Sequence, residues 1–158
     1  EDLVENLQTA VGSGEGTIPF TADQDTTNQV ADLAYAGEII EVKVTALDVF
    51  LASAADPHIP DFWKIDVEGF ELVVLKGAAA SLGRPEVQVV LLEGNNADSE
   101  CSMRSFGFHT VHYDPFNRVL AAAVREGSAN NNVWVRDVEF VQARCRASRR
   151  YDIFGLMI

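Results

Sequence analysis

The stretch DFWKIDVEGFELVVLKGAAASLG, from Asp61 to Gly83, places the three carboxylates Asp66, Glu68 and Glu71 within six residues. They stand between an apolar run of strand character and an apolar run of helical spacing. Like charges at that density repel one another, and a buried end disfavours each of them. Two arrangements relieve the cost: a solvated helix N-terminus, or a ligand that needs carboxylates. Glu71 suits the first, because an acid in the first turn complements the helix dipole. Asp66 is not explained that way, since it closes the apolar strand before the helix begins. Glu93 closes the next apolar run, EVQVVLLEG, in the same manner. Asp66, Glu68 and Glu93 are therefore the candidate ligand-binding or catalytic acids. Lys64 lies two residues before Asp66 and so on the same strand face, where it can pair with a carboxylate or reach a ligand.

The elements that must present these groups read as α/β. EIIEVKVTALDVFL alternates at Ile40, Val42 and Val44, as a strand with one wet face does, and turns helical from Ala46 to Leu51. IPDFWKIDV is a compact strand. FELVVLKGAAASLG carries Leu72, Leu75, Ala79 and Leu82 at helical spacing, starting near Gly69 and stopping at Gly83. EVQVVLLEG is nearly continuous in apolar residues, as a parallel strand covered on both faces would be. The order strand, helix, strand is a βαβ unit, and ligands of such sheets sit beyond the carboxyl ends of the strands. FGFHTVHYD, RVLAAAV and NNVWVRD follow as short strands between the turns DPFN and EGSANN, and VEFVQARCRASRR as a closing helix. At the start, a helix end gives way to a strand near Leu7–Val11. A glycine-rich turn at Gly12, Gly14 and Gly16 follows, then a strand at Thr17–Phe20. VGSGEG is spaced like a phosphate loop but falls between two strands rather than opening a helix, so it reads as a hairpin turn.

The 158 residues are one domain's worth of chain, and 47% apolar content is ordinary for a globular protein. A net charge of −12 argues against a nucleic-acid partner, which needs clustered cations. The cluster RCRASRR, Arg144 to Arg150, reads as the last turn and exposed face of a helix. No run of about 20 apolar residues is present to span a bilayer, and the start EDLVENLQ lacks the basic and apolar regions of a signal peptide. Cys101 and Cys145 have no metal-like spacing, and a reducing cytoplasm is the default compartment. His109 and His112, three apart on a strand, point to opposite faces, which speaks against a shared metal. A carboxylate site for Mg²⁺ is the weaker alternative, and no metal is expected. Trp63 and Trp134 read as core.

KIDVEGFELVVLKGA resembles the signature of the FkbM family of S-adenosylmethionine-dependent methyltransferases, with Lys64, Ile65, Asp66, Val67, Glu68, Gly69, Glu71, Val74, Leu75, Gly77 and Ala78 in place. VTALDVFL resembles the family's T-x-L-D segment, carried by Thr45, Leu47 and Asp48. VVLLEGN resembles its V-x-x-E strand, and GFHTVHYDPFNRVL with NNVWVRD its final strands. NLQTAVGSGEGTIPF resembles the segment whose turn approaches the adenine of the cofactor, which here is Ala10, Val11, Gly12 and Ser13.

The resemblance covers nearly the whole chain, 1–158, as a single methyltransferase domain. It implies a Rossmann-like three-layer sandwich with a mostly parallel sheet and antiparallel C-terminal strands. The family's first strand with its glycine-rich loop, and the acidic end of its second, would precede Glu1. The chain is thus expected to be a C-terminal portion that lacks the first strand–helix units.

The implied activity is O-methylation of a small hydroxylated or sugar-containing acceptor with S-adenosylmethionine as donor. Asp66 would orient the acceptor hydroxyl or the cofactor's amino group. Glu68 or Glu93 would act as base or fix a sugar hydroxyl, with Lys64 beside them. The rival reading is a non-catalytic remnant that serves as a binding or assembly module through an open sheet edge.

Overall fold

The computed structural model describes residues 4, 6–32, 34–53, 58–94, 96–122 and 131–157. They form a mixed α/β chain that divides into two compact units. Glu1–His58 with Val67–Leu82 make the first, and Ile59–Asp66 with Gly83–Ile158 the second.

The first unit is built on strands β1 (Ala10–Gly12), β2 (Gly16–Thr21) and β3 (Ile39–Ala46), in the order β1-β3-β2. β3 runs parallel to β1 and antiparallel to β2. Ala10 and Gly16 both pair with Val44, from opposite sides. The glycine-rich turn is therefore not a hairpin turn: Ser13–Glu15 carry the chain across the end of β3, which lies between the two strands. Gly12 is buried there, and a Cβ on it would come within 2.7 Å of Val44 Cγ2. The expected first strand sits later than read, and the expected helix end before it falls largely on residues 1–3 and 5, outside those described.

The polar excursion between β2 and β3 is folded by its own side chains. Gln29 N–H donates to the Thr21 hydroxyl (2.9 Å) and Gln24 N–H to the Asn28 side chain (3.0 Å), around a 3-10 turn at Asp25–Thr27. Helix α1 (Leu47–Ser53) continues directly from β3, close to the expected boundary. The helix expected from Gly69 to Gly83 is instead two pieces, α2 (Glu71–Gly77) and α3 (Ala79–Leu82), broken at Ala78.

The second unit holds a five-stranded sheet in the order β4-β5-β8-β6-β7. Its strands are β4 (Phe62–Ile65), β5 (Val89–Glu93), β6 (His109–Asp114), β7 (Val119–Ala122) and β8 (Asn131–Val135). Only the β4–β5 pair is parallel; β5–β8, β8–β6 and β6–β7 are antiparallel. The sheets are thus mixed, and the parallel pairing that the resemblance implies for most of the sheet is confined to β4–β5 here and β1–β3 in the first unit. The expected EGSANN turn falls on residues outside those described, apart from Asn131.

Helix α4 (Ala97–Ser105) starts at Asn96, whose side chain accepts the Asp98 N–H at 2.8 Å; helix α5 (Val138–Ala147) starts at Asp137, which caps Phe140 N–H at 2.9 Å. Trp134, Phe108, Val90, Leu92 and Met103 are fully buried. Val141 of α5 packs with Val111 and Val135. Arg136 ties the core together: Nε donates to Val87 O (2.9 Å), Nη1 to Phe106 O (2.7 Å), and its guanidinium lies 4.4 Å from the Phe108 ring centroid. A small hairpin of β9 (Asp152–Ile153) and β10 (Leu156–Met157) follows. No helix among the described residues is long and apolar enough to cross a membrane.

Candidate active site

Parallel pairing of β4 with β5 sets the geometry. Lys64 lies opposite Leu91 and Ile65 opposite Leu92, so the register carries Asp66 to the level of Glu93. Trp63 and Ile65 are buried while Lys64 and Asp66 are exposed, the alternation of a strand with one covered face. The sequence Trp-Lys-Ile-Asp thus commits one face of β4 to the core and delivers an ammonium and a carboxylate to the other. Lys64 Nζ donates to Asp66 Oδ2 in an ion pair whose side chains stay 53% and 38% exposed. Carboxylate oxygens of Asp66 and Glu93 lie within 4.8 Å of each other.

Electrostatics follow from that contact. Hydrogen bonding to the Glu93 carboxyl, and then to the Lys64 ammonium, holds the Asp66 carboxyl below the usual carboxylate range. The hydrogen bond to Asp66 pushes the Lys64 ammonium above its ordinary value, and the Glu93 charge adds to that. The Glu93 contact and the Lys64 charge together favour the ionised form of Asp66. Such a group presents an oxygen that accepts a hydrogen bond at neutral pH. An acid so depressed is a weak general base, and its chemistry is orientation and charge stabilisation.

Glu68 belongs to the first unit and stands in a tight turn. Its φ is +47° and that of Gly69 is +90°, and Phe70 N–H closes the turn on Val67 O at 3.2 Å. The left-handed conformation costs a non-glycine residue about 1 kcal/mol or more. It is held by Glu71, a buried side chain whose Oε1 accepts the Gly69 N–H at 2.9 Å. Glu71 is thus the turn-fixing acid of the helix's first turn, and Glu68 is the exposed one.

Ala10, Val11, Gly12 and Ser13 also lie in the first unit, at the end of β1. Ser13 and Gly14 are exposed, and nothing approaches within 4 Å of the position a Gly14 Cβ would take. The backbone of the turn is therefore open at Ser13 and Gly14. Beneath it the sequence does something its motifs did not announce. A Cβ on Gly77 would meet the carbonyl oxygen of Gly12, with the Gly12 carbonyl carbon at 2.9 Å and Ser13 Cα at 3.0 Å. The absence of a side chain at Gly77 lets the end of α2 rest on the turn. Asp48, in the T-x-L-D segment, accepts the backbone N–H of Ala80 and of Ser81, both at 2.8 Å, and so caps α3. A glycine and an aspartate at those motif positions were the available signals; the partner of each lies too far along the chain to be read.

Within the second unit the structure brings together Lys64, Asp66 and Glu93, while Glu68 and Ala10–Ser13 belong to the first unit. His109 and His112 are both exposed in β6 at the odd spacing that sends them to opposite faces. Trp63 and Trp134 are buried, as expected.

No curated protein and no solved structure matches the chain. The family model of the methyltransferase FkbM domain matches residues 1–116, well over half of the sequence and inclusive of Asp48, Asp66, Glu68, Glu71 and Glu93. The chain belongs to the FkbM methyltransferase domain family.

Proposed function

We propose that the protein is an S-adenosylmethionine-dependent O-methyltransferase that acts on a hydroxyl of a small or glycan-like acceptor in a reducing cytoplasm. We read residues 1–158 as part of one Rossmann-like catalytic domain. The observation that carries the reading is the Lys64–Asp66–Glu93 group at the carboxyl end of the parallel pair β4–β5, within a chain of FkbM family membership. Ligands of α/β sheets gather beyond strand ends of this kind. The free thiols of Cys101 and Cys145 suit the compartment.

S-adenosylmethionine, when bound, supplies a sulfonium methyl group open to in-line attack. The protein's own groups then have three tasks. The Ala10–Ser13 turn receives the adenine against its backbone. The ionised Asp66 carboxylate, with one oxygen on Lys64, accepts a hydrogen bond from the acceptor hydroxyl or from the cofactor's amino group and fixes its direction. The hydroxyl proton falls to Glu68 or Glu93, or the same acid secures a neighbouring sugar hydroxyl.

A labelled-methyl transfer assay of the full-length protein against a panel of hydroxylated glycans tests this. Transfer is expected, with Asp66→Asn lowering kcat/KM by about 10²-fold or more. An Asp66→Asn enzyme running at full rate removes Asp66 from the mechanism. A folded sample that binds no S-adenosylmethionine in calorimetry supports a binding module instead.

A further inference from the structure

The cations of this chain are unevenly placed. Arg144, Arg146, Arg149 and Arg150 are four of the twelve Lys and Arg residues, and residues 144–157 hold only one of the twenty-four acids, Asp152. That stretch therefore carries +3, against −15 for the remainder. All four arginines are exposed. Arg144 meets Asp61 at 3.3 Å in an open ion pair, and the Arg149 guanidinium lies 5.6 Å from the Tyr151 ring centroid.

The β9–β10 hairpin follows at once. Leu156 pairs with Ile153 and Met157 with Asp152, and the two turn residues Phe154 and Gly155 are both left-handed, at φ +53° and +83°. This is the two-residue turn that matches the twist of a hairpin. Asp152 Oδ1 accepts the Gly155 N–H at 2.7 Å and fixes the tip. Phe154 stands at that tip fully exposed, and Tyr151, Ile153 and Met157 are each about half exposed. The hairpin forms a two-stranded sheet of its own, an arrangement of marginal stability in water. The turn leaves the Phe154 side chain fully exposed, and Arg149 and Arg150 stand directly before the hairpin in the chain, so an apolar tip and a cationic run are both open to a partner.

We propose that this face docks on an anionic membrane surface. The guanidinium forks of Arg149 and Arg150 meet lipid phosphates and carboxylates, while Phe154, with Tyr151 and Ile153, enters the headgroup boundary. A soluble polyanion or an acidic protein surface would satisfy the arginines and leave the apolar tip in water. A membrane interface covers both, since aromatic residues settle at the headgroup level. The strongly acidic remainder of the sequence is repelled by the same surface, which favours approach through residues 144–157. The inference is independent of the methyl-transfer chemistry.

Vesicle flotation with the full-length protein tests it, using phosphatidylcholine vesicles with and without phosphatidylserine. Binding is expected on the phosphatidylserine vesicles only, and high salt should weaken it. Replacing Arg149 and Arg150 by Gln should weaken it about fivefold per residue. Phe154→Asn, which keeps a residue suited to the left-handed turn, should weaken it at unchanged salt dependence. Circular dichroism reports that each variant stays folded. The proposal is overturned if the protein ignores phosphatidylserine vesicles at low salt. Equal binding to both vesicle types, or insensitivity to the arginine and phenylalanine variants, overturns it too. Self-association in sedimentation that the same variants abolish, with no vesicle binding, assigns the face to a second copy of the chain.

Discussion

Gly77 of α2 rests against the carbonyl oxygen of Gly12, at a separation that leaves no room for a side chain on Gly77. The neighbouring atoms are backbone rather than a flexible side-chain end, so they cannot step aside cheaply. Gly77→Ala should therefore destabilise the protein by about 1–3 kcal/mol, despite alanine's better helix propensity. Urea denaturation measures it. In the proposed function the same change disturbs the Gly12–Ser13 turn, so affinity for S-adenosylmethionine should fall with stability.

Asp48 makes a second long-range tie in the first unit, through two backbone N–H groups at the start of α3. Asp48→Ala leaves both donors without their acceptor and should cost about 0.5–2 kcal/mol. Asp48→Asn keeps one carbonyl acceptor and should cost less. Thermal unfolding of the two variants separates capping from mere loss of charge: equal costs for Asn and Ala would mean that the hydrogen bonds contribute nothing beyond the charge.

These two ties show where the sequence is readable and where it is not. The alternation at Ile40, Val42 and Val44 and the apolar run of Val89–Leu92 fix strands locally, and both strands are present. Lys64 and Asp66 share a face because strand periodicity requires it, and Glu93 meets them because two parallel strands end in register. Helix α4 escapes that reading because its sequence, ADSECSMRS, buries only Ser99 and Met103, too little for an apolar stripe. Its one local signal is the Asn96 cap. The break between α2 and α3 and the arch over β3 are set by residues distant along the chain: Asp48 lies 33 positions from Ser81, and β3 arrives only after β2 has formed the far side. The conformation that presents Glu68 depends on a left-handed pair of residues that spacing alone does not reveal.

The two tryptophans of the second unit are both buried but differently satisfied. Trp63 Nε1 donates to Pro60 O at 2.9 Å, whereas Trp134 Nε1 is buried with no acceptor among the described residues. Replacing either by Phe loses a similar volume of packing. At Trp63 it also removes a hydrogen bond; at Trp134 it removes a donor that was already unmet. Trp134→Phe should then cost less than Trp63→Phe, by about 1 kcal/mol. Parallel denaturation curves of the two variants give the difference directly, and the reverse ranking would show that Trp134 finds an acceptor in solution.

The Asp66–Glu93 contact has a consequence in pH. Asp66 is ionised more readily in the folded chain than in the unfolded one, because the Glu93 carboxyl and the Lys64 ammonium hydrogen-bond to its charged form. Its folded value is depressed, so its contribution to stability is fully present above the ordinary aspartate range and is lost as pH falls through the lowered folded value. Carbon-detected NMR titration of the Asp66 carboxyl should find its midpoint below that of an unperturbed aspartate. Glu93→Ala removes the first of the two causes and should move the midpoint up toward the ordinary range. Lys64→Met removes the second and should move it in the same direction by a smaller step. Glu93→Gln retains an amide that can donate, so the depression should largely persist. A midpoint that stays low in Glu93→Ala would mean that the carboxyl pair is not what holds Asp66 ionised, and Lys64 alone would then be its partner.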